Sequence, residues 1–202
     1  MSPFYLFAAS LSLPVLKLLY RLEASGIENL PKEGGYVLAA NHTSNLDPWP
    51  LGLPLFPKHQ LHFMGKSELF NPVLGPLLRS AGAFPVRRGE RDAEAIETAV
   101  RLCKEGEVVA MFPEGTRREK GLRKKFEHRP RTGSARIALA AGVPLVPAAI
   151  KGTDRLLRLA KVRVAYGAPV PLEDLAGLDL RQAAETATER LMERIYELHA
   201  RL

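Results

Sequence analysis

In the stretch N-H-T-S-N-L-D-P-W, His42 and Asp47 stand five positions apart. An imidazole, with an ordinary pKa of about 6.5, is the side chain best suited to take a proton near neutral pH. It needs a fixed tautomer and orientation, and a carboxylate on its second nitrogen supplies both. Two later stretches carry charge of a complementary kind. F-P-E-G-T-R sets Glu114, Thr116 and Arg117 around a Pro/Gly turn, and G-A-F-P-V-R-R-G ends on Arg87 and Arg88. Guanidinium groups meet phosphate oxygens in a two-point fashion that lysine cannot match. Each stretch taken alone is equally an ordinary polar turn with solvated charges. Together they offer proton abstraction beside a bound anion.

The elements around these residues decide whether they meet. Gly35–Asn41 is a compact apolar run after Gly-Gly and reads as a buried strand. Asp47 then reads as an N-cap with Pro48 at the first helical position. His42 would sit between a strand's C-terminal end and a helix's start, where ligands gather in open α/β sheets. A short strand is expected near Leu61–Met64, a helical stretch interrupted by Gly75 and Pro76 from Asn71 to Ser80, and a strand at Ala83–Val86. The run R-D-A-E-A-I-E-T-A-V-R-L-C-K-E-G reads as a helix capped by Asp92, striped by Ile96 and Val100 and stopped by Gly106. E-V-V-A-M-F is a buried strand running directly into P-E-G-T-R.

Beyond the basic segment, G-S-A-R-I-A-L-A-A-G predicts a helix stopped by Gly142. P-L-V-P-A-A-I and K-V-R-V-A-Y-G predict strands, and a charged amphipathic helix runs from about Leu180 to His199. This alternation predicts a single α/β domain with a largely parallel central sheet flanked by helices, preceded by an apolar N-terminal helical segment. The polar strand ends would converge on one pocket if their strands are neighbours. No internal repeat or linker divides the chain.

With 202 residues, 46% of them hydrophobic and 25% charged, the chain suits one well-filled domain. Its net charge of +7 points to anionic partners. Residues 117 to 131 hold eight Lys/Arg against two Glu, so nearly all of that charge belongs to one segment. Nucleic acid is a poor fit, because Phe126 is the segment's only aromatic residue and no binding fold is visible. His59 and His62 stand three apart without a third ligand at metal-site spacing. The single cysteine, Cys103, rules out an intrachain disulfide and falls in a helical apolar pattern that suits packing.

Residues 3 to 16 carry no charge, and Lys17 and Arg21 follow. The run is short of the roughly 20 apolar residues that span a bilayer. It also lacks the basic leader and small-residue cleavage site of a secretory signal. Pro14 is expected to break or kink a helix here, or to begin a second one. Two readings stand: a helix packed on the domain's own core, or one dipping into a membrane interface through Phe4, Tyr5 and Phe7. The second divides the chain into a membrane-associated segment, 1–25, and a catalytic domain, 26–202.

In order and spacing, N-H-T-S-N-L-D, G-A-F-P-V-R-R, F-P-E-G-T-R and V-P-L-V-P-A-A-I resemble the four sequence blocks of the glycerolipid acyltransferases, particularly the bacterial 1-acylglycerol-3-phosphate acyltransferases. The resemblance runs from Asn41 to Ile150. It implies that His42 is the catalytic base and Asp47 its orienting carboxylate. It implies that Arg88 and the third block, Glu114, Gly115, Thr116 and Arg117, bind the acceptor's phosphate. Pro144 and Pro147 fall in the fourth block, near the acyl-donor or structural side of the site. No metal and no tightly bound cofactor are implied. One departure stands out. Where the family continues with Phe-Lys-x-Gly, this chain has Pro130-Arg131-Thr132-Gly133, after a longer and more basic loop.

The expected reaction passes an acyl group from acyl-CoA or acyl carrier protein to the 2-hydroxyl of lysophosphatidic acid, on the cytoplasmic face of the cell membrane, with the protein peripheral or monotopic. Neither Cys103 nor any serine lies in a recognisable nucleophile elbow, although Ser44 is close to His42. Two other readings are a different lysolipid or amine-bearing acceptor, and a basic membrane-binding protein whose His/Asp pair is structural. Nucleic acid is not an expected partner.

Overall fold

The computed structural model describes residues 1–87, 93–114 and 130–202. Seven strands form one sheet: β1 (Glu23–Ser25), β2 (Tyr36–Ala40), β3 (Leu61–Lys66), β4 (Ala83–Val86), β5 (Val108–Met111), β6 (Leu145–Lys151) and β7 (Arg163–Tyr166). Their spatial order is β1-β7-β6-β2-β5-β3-β4. The five strands from β2 to β6 run parallel, β7 is antiparallel to β6, and β1 follows β7. The expected largely parallel α/β sheet is what forms.

All five residues of β2 are buried, as a central parallel strand covered on both faces requires. Its side chains alternate between two cores. Val37 and Ala39 face a layer made by α4 (Ala93–Lys104), α5 (Gly133–Ala141) and α6 (Leu180–Arg201), whose Ala99, Ala138 and Leu191 fill that side. Tyr36, Leu38 and Ala40 face the other way, onto Leu51, Leu55 and Leu61. There α1 (Pro3–Leu18) and α2 (Pro48–Gly52) lie over the sheet, with Ala9 and Leu16 packed on Leu53. The seven-residue α3 (Leu74–Ser80) rests on β4 and touches α1.

Several local expectations change. Helix α1 runs unbroken through Pro14. The carbonyl that loses its partner there is that of exposed Ser10, which water can reach. Asn71 does not begin α3. Its side chain accepts from the N–H groups of Val73 and Leu74 and so sets the start three residues later. In α4 the deepest stripe is Ala95, Ala99 and Cys103, with Ile96 and Val100 flanking it. Burial pushes the Cys103 thiol up to about 12, which suits an inert packing group. The cap assigned to Asp92 lies outside the described residues. Gly142 ends α5 at φ 67°, as its position predicted.

Candidate active site

His42 follows β2 by two residues, at the C-terminal edge of the parallel strands. Its Nδ1 lies 2.8 Å from Oδ2 of Asp47. The carboxylate is fully buried and the imidazole 8% exposed. A buried carboxylate is costly unless donors surround it, and here they do. Oδ2 also accepts the backbone N–H groups of Thr43 at 2.7 Å and Ser44 at 2.9 Å. Oδ1 accepts the hydroxyl of Thr153, a buried residue just beyond β6, and more distantly that of Thr43. An acceptor-only carboxylate assigns the proton to Nδ1 of His42 and leaves the lone pair on Nε2. One flat face of the imidazole stacks on Phe112, with centroids 4.2 Å apart and planes 21° from parallel.

The same turn revises the role of Asp47 as a helix cap. It precedes Pro48, the first residue of α2, but its φ and ψ of −53° and −40° are helical, and its side chain caps nothing in α2. Proline at the first position has no N–H to offer. The amides of Thr43 and Ser44 turn the carboxylate backward, towards His42.

Asn41 fixes the end of β2 in another way. Its Nδ2 donates to the carbonyl of Ile150 at 2.9 Å, and its Oδ1 accepts the Ile150 N–H at 2.8 Å. The amide thus extends the β2–β6 ladder by one side-chain rung past Ala40, which pairs with Ala148. Ile150 of β6 thus anchors Asn41, next to the histidine in sequence, and Thr153, two residues past β6, holds the carboxylate.

A family model described as "Acyltransferase" matches residues 21–151, which span β2, the His42–Asp47 turn, β5 and β6. This chain belongs to the acyltransferase family. Over 202 residues it is 35% identical to a 1-acyl-sn-glycerol-3-phosphate acyltransferase of Bacillus subtilis, covering 98% of each chain. It is 30% identical to the enzyme of the same name from Streptococcus pneumoniae, covering 79% of this chain and 59% of that one. The crystal structure of the 1-acyl-sn-glycerophosphate acyltransferase from Thermotoga maritima superposes with a TM-score of 0.62 at 26% identity, covering 96% of this chain and 87% of that one.

Not every expected site residue of this acyltransferase lies beside His42. Glu114 follows Phe112, the ring stacked on His42, by two residues, just past the end of β5, the strand next to β2. The second block is farther off, because β5 and β3 separate β4 from β2. Three strand spacings amount to about 14 Å. Arg87 marks that edge, 4.0 Å from Glu94. Arg88, Gly115, Thr116 and Arg117 lie outside the described residues. Pro113 and Arg131, on either side of residues 115–129, meet directly: the N–H of Arg131 donates to the carbonyl of Pro113 at 2.8 Å.

His59 and His62 are held separately. His59 meets Tyr36 edge-on, and His62 is 3.4 Å from Glu107. Burial lowers the His62 pKa, with Glu107 partly opposing. Among the described residues no three metal-binding side chains stand together. Thr153 escaped sequence reasoning, although a signal existed. It is the first side chain with a hydroxyl after the buried β6 run and Gly152, at the sheet edge where ligands gather.

Proposed function

We propose that this acyltransferase moves a fatty acyl group from a thioester, acyl-CoA or acyl carrier protein, to the sn-2 hydroxyl of lysophosphatidic acid, giving phosphatidic acid. The observation that carries the reading is the buried His42–Asp47 pair with Nε2 left as proton acceptor. The names of the relatives from Bacillus subtilis and Streptococcus pneumoniae support the choice of acceptor.

Nε2 of His42 takes the hydroxyl proton as that oxygen attacks the thioester carbonyl. The tetrahedral intermediate collapses by breaking the C–S bond, and the leaving thiolate recovers the proton from the imidazolium. General-base help of this kind is worth about 10² to 10⁴ in rate. Asp47 holds the ring and offsets the charge that forms on it. A thioester is already a good electrophile, so the step needs no metal or cofactor. Arg88, Glu114, Gly115, Thr116 and Arg117 are proposed to hold the acceptor's phosphate, on the strength of the sequence blocks. Fixing the acceptor by a remote charge contributes to the rate by lowering the cost of orientation.

The reaction is proposed to take place at an anionic membrane surface, the cytoplasmic face of the cell membrane, with residues 1–25 as the membrane-associated part. Among the described residues no helix is long and apolar enough to cross a bilayer, which fits a peripheral or monotopic attachment. Purified protein offered lysophosphatidic acid and a labelled acyl thioester should form phosphatidic acid, and His42→Ala should lower kcat by about 10² to 10⁴. Turnover untouched by His42→Ala would remove the catalytic assignment. An acceptor lacking the phosphomonoester should be a much poorer substrate, and equal use of both would redirect the reading to another lysolipid.

A further inference from the structure

We propose that the corner of the molecule just past β6, the turn Thr153–Arg158 with Leu159 and the start of β7, is a docking surface for an acidic acyl carrier protein. This surface presupposes the acyl transfer proposed above and assigns it a donor and a landing place.

Backbone strain picks out the corner. Among the described residues, Arg21 and Leu159 are the two non-glycine residues that hold a positive φ, at 47° and 49°. A left-handed backbone costs a bulky residue about 1 to 3 kcal/mol, and such strain collects at functional sites. The two strained residues meet, since a guanidinium N–H of Arg21 donates to the Leu159 carbonyl at 3.1 Å. The turn they brace carries its apolar side chains outward: Leu157 is fully exposed and Leu159 is 46% exposed.

The corner adjoins the chemistry. Thr153 opens the turn, and its hydroxyl donates to Oδ1 of Asp47 and lies 2.9 Å from that of Thr43. At about 2 Å of rise per residue, Leu157 stands within about 8 Å of Thr153. A carrier protein's phosphopantetheine arm runs about 16 Å from phosphorus to sulfur when extended, at about 1.25 Å of advance per bond. A partner seated on Leu157 therefore brings its thioester within reach of Nε2 of His42.

Charge selects the partner. Residues 20–25 and 151–163, which meet where β1 and β7 begin beside the end of β6, hold six Lys or Arg against two carboxylates. Asp154 lies 3.5 Å from Arg155, and Glu23 takes Lys161 and Arg163. Lys151 and Arg158 are left without a carboxylate among the described residues. These cations spread over a strand end, a turn and two strand starts, a breadth that fits several carboxylates on a protein rather than one phosphate group. Leu157, between Arg155 and Arg158, offers that partner an apolar knob. A lone knob on a turn lacks the apolar stripe of a helix that lies in lipid.

A comparison of donors tests the surface. The full chain would be given acyl carrier protein and coenzyme A carrying the same acyl group, with a dispersed short-chain lysophosphatidic acid as acceptor. The double variant Arg155→Glu, Arg158→Glu should raise KM for the acyl carrier protein on the order of ten- to a hundredfold. Its kcat, its KM for acyl-CoA and its melting temperature should stay as they were. The charge-keeping pair Arg155→Lys, Arg158→Lys should restore most of the lost affinity, and Leu157→Ser should weaken binding of dye-labelled holo-acyl carrier protein. An unchanged KM for the carrier protein would overturn the proposal. An equal rise for both donors would overturn it too, by giving the arginines to the donor's phosphates. So would a loss seen only with the acceptor presented in vesicles, which would give the corner to lipid. Turnover with acyl-CoA and none with acyl carrier protein would exclude the partner and leave acyl transfer standing. No turnover with either donor would remove the acyl-transfer reading, and the role of this surface with it.

Discussion

Asp47 is the residue on which the site turns. Its position before Pro48 suits a helix cap, and its distance from His42 suits an orienting carboxylate. The two roles compete for the same oxygens. The N–H groups of Thr43 and Ser44 decide the matter by drawing the carboxylate back towards the ring. Thr153 completes its coordination from another strand. Thr153→Val keeps the shape of that side chain and removes the donor, leaving Oδ1 of a buried carboxylate short of a partner. It should lower kcat by about tenfold, with KM for the acceptor unchanged, while Thr153→Ser should restore most of the loss. If both variants behave like the parent in steady-state kinetics, Thr153 has no part in positioning the pair. The His42–Asp47 pairing was visible from residue type and spacing. The Thr153 contact was not, because it joins residues 106 positions apart.

At the scale of elements, strand and helix patterns were largely legible. The apolar runs for β2, β5 and β6, and the Gly stop of α5, all formed where periodicity put them. What periodicity missed has local causes. Strand β1 is three exposed residues pairing with β7, so it carries no apolar signal. The antiparallel run of β7 depends on the connection after β6, which no strand pattern encodes. The Gly34-Gly35 pair, read only as the start of a strand, has a specific packing role. A Cβ on Gly35 would fall 2.1 Å from the carbonyl oxygen of Cys103 and 2.7 Å from that of Glu107. Both obstacles are backbone, at the end of α4 and the entry to β5. Gly35→Ala should therefore cost about 2 to 3 kcal/mol, readable as a lower midpoint in urea. An unchanged midpoint would show that α4 can move away freely.

For the whole molecule the two faces of the sheet differ in kind. The α4–α6 side presents charged helices to solvent, whereas the α1–α3 side presents apolar residues with cations at its margin. That difference predicts how vesicle binding responds to salt. Raising ionic strength from about 0.1 M to 1 M shortens the Debye length from about 10 Å to about 3 Å. Flotation with anionic vesicles should weaken but persist at the high-salt end, because the apolar contact is unscreened. Complete release at high salt would assign binding to the basic residues alone. The basic segment after Glu114 also acquires an address at this scale. Pro113 and Arg131, on either side of it, meet just past β5 and next to Phe112.

Taken alone, the sequence determined the α/β class, the identity of the His/Asp pair and the family resemblance, because strand runs, helix stripes and short motifs are local properties of the chain. Only the tertiary structure decided which strand ends became neighbours. It set β2 between β6 and β5, bringing Thr153 and Phe112 to His42 and leaving Arg87 three strands away. It also decided that α1, the catalytic turn and α3 share one side of the sheet. Strand order and the choice of face arise from how the crossovers pack over the sheet, and those contacts join residues far apart in the chain.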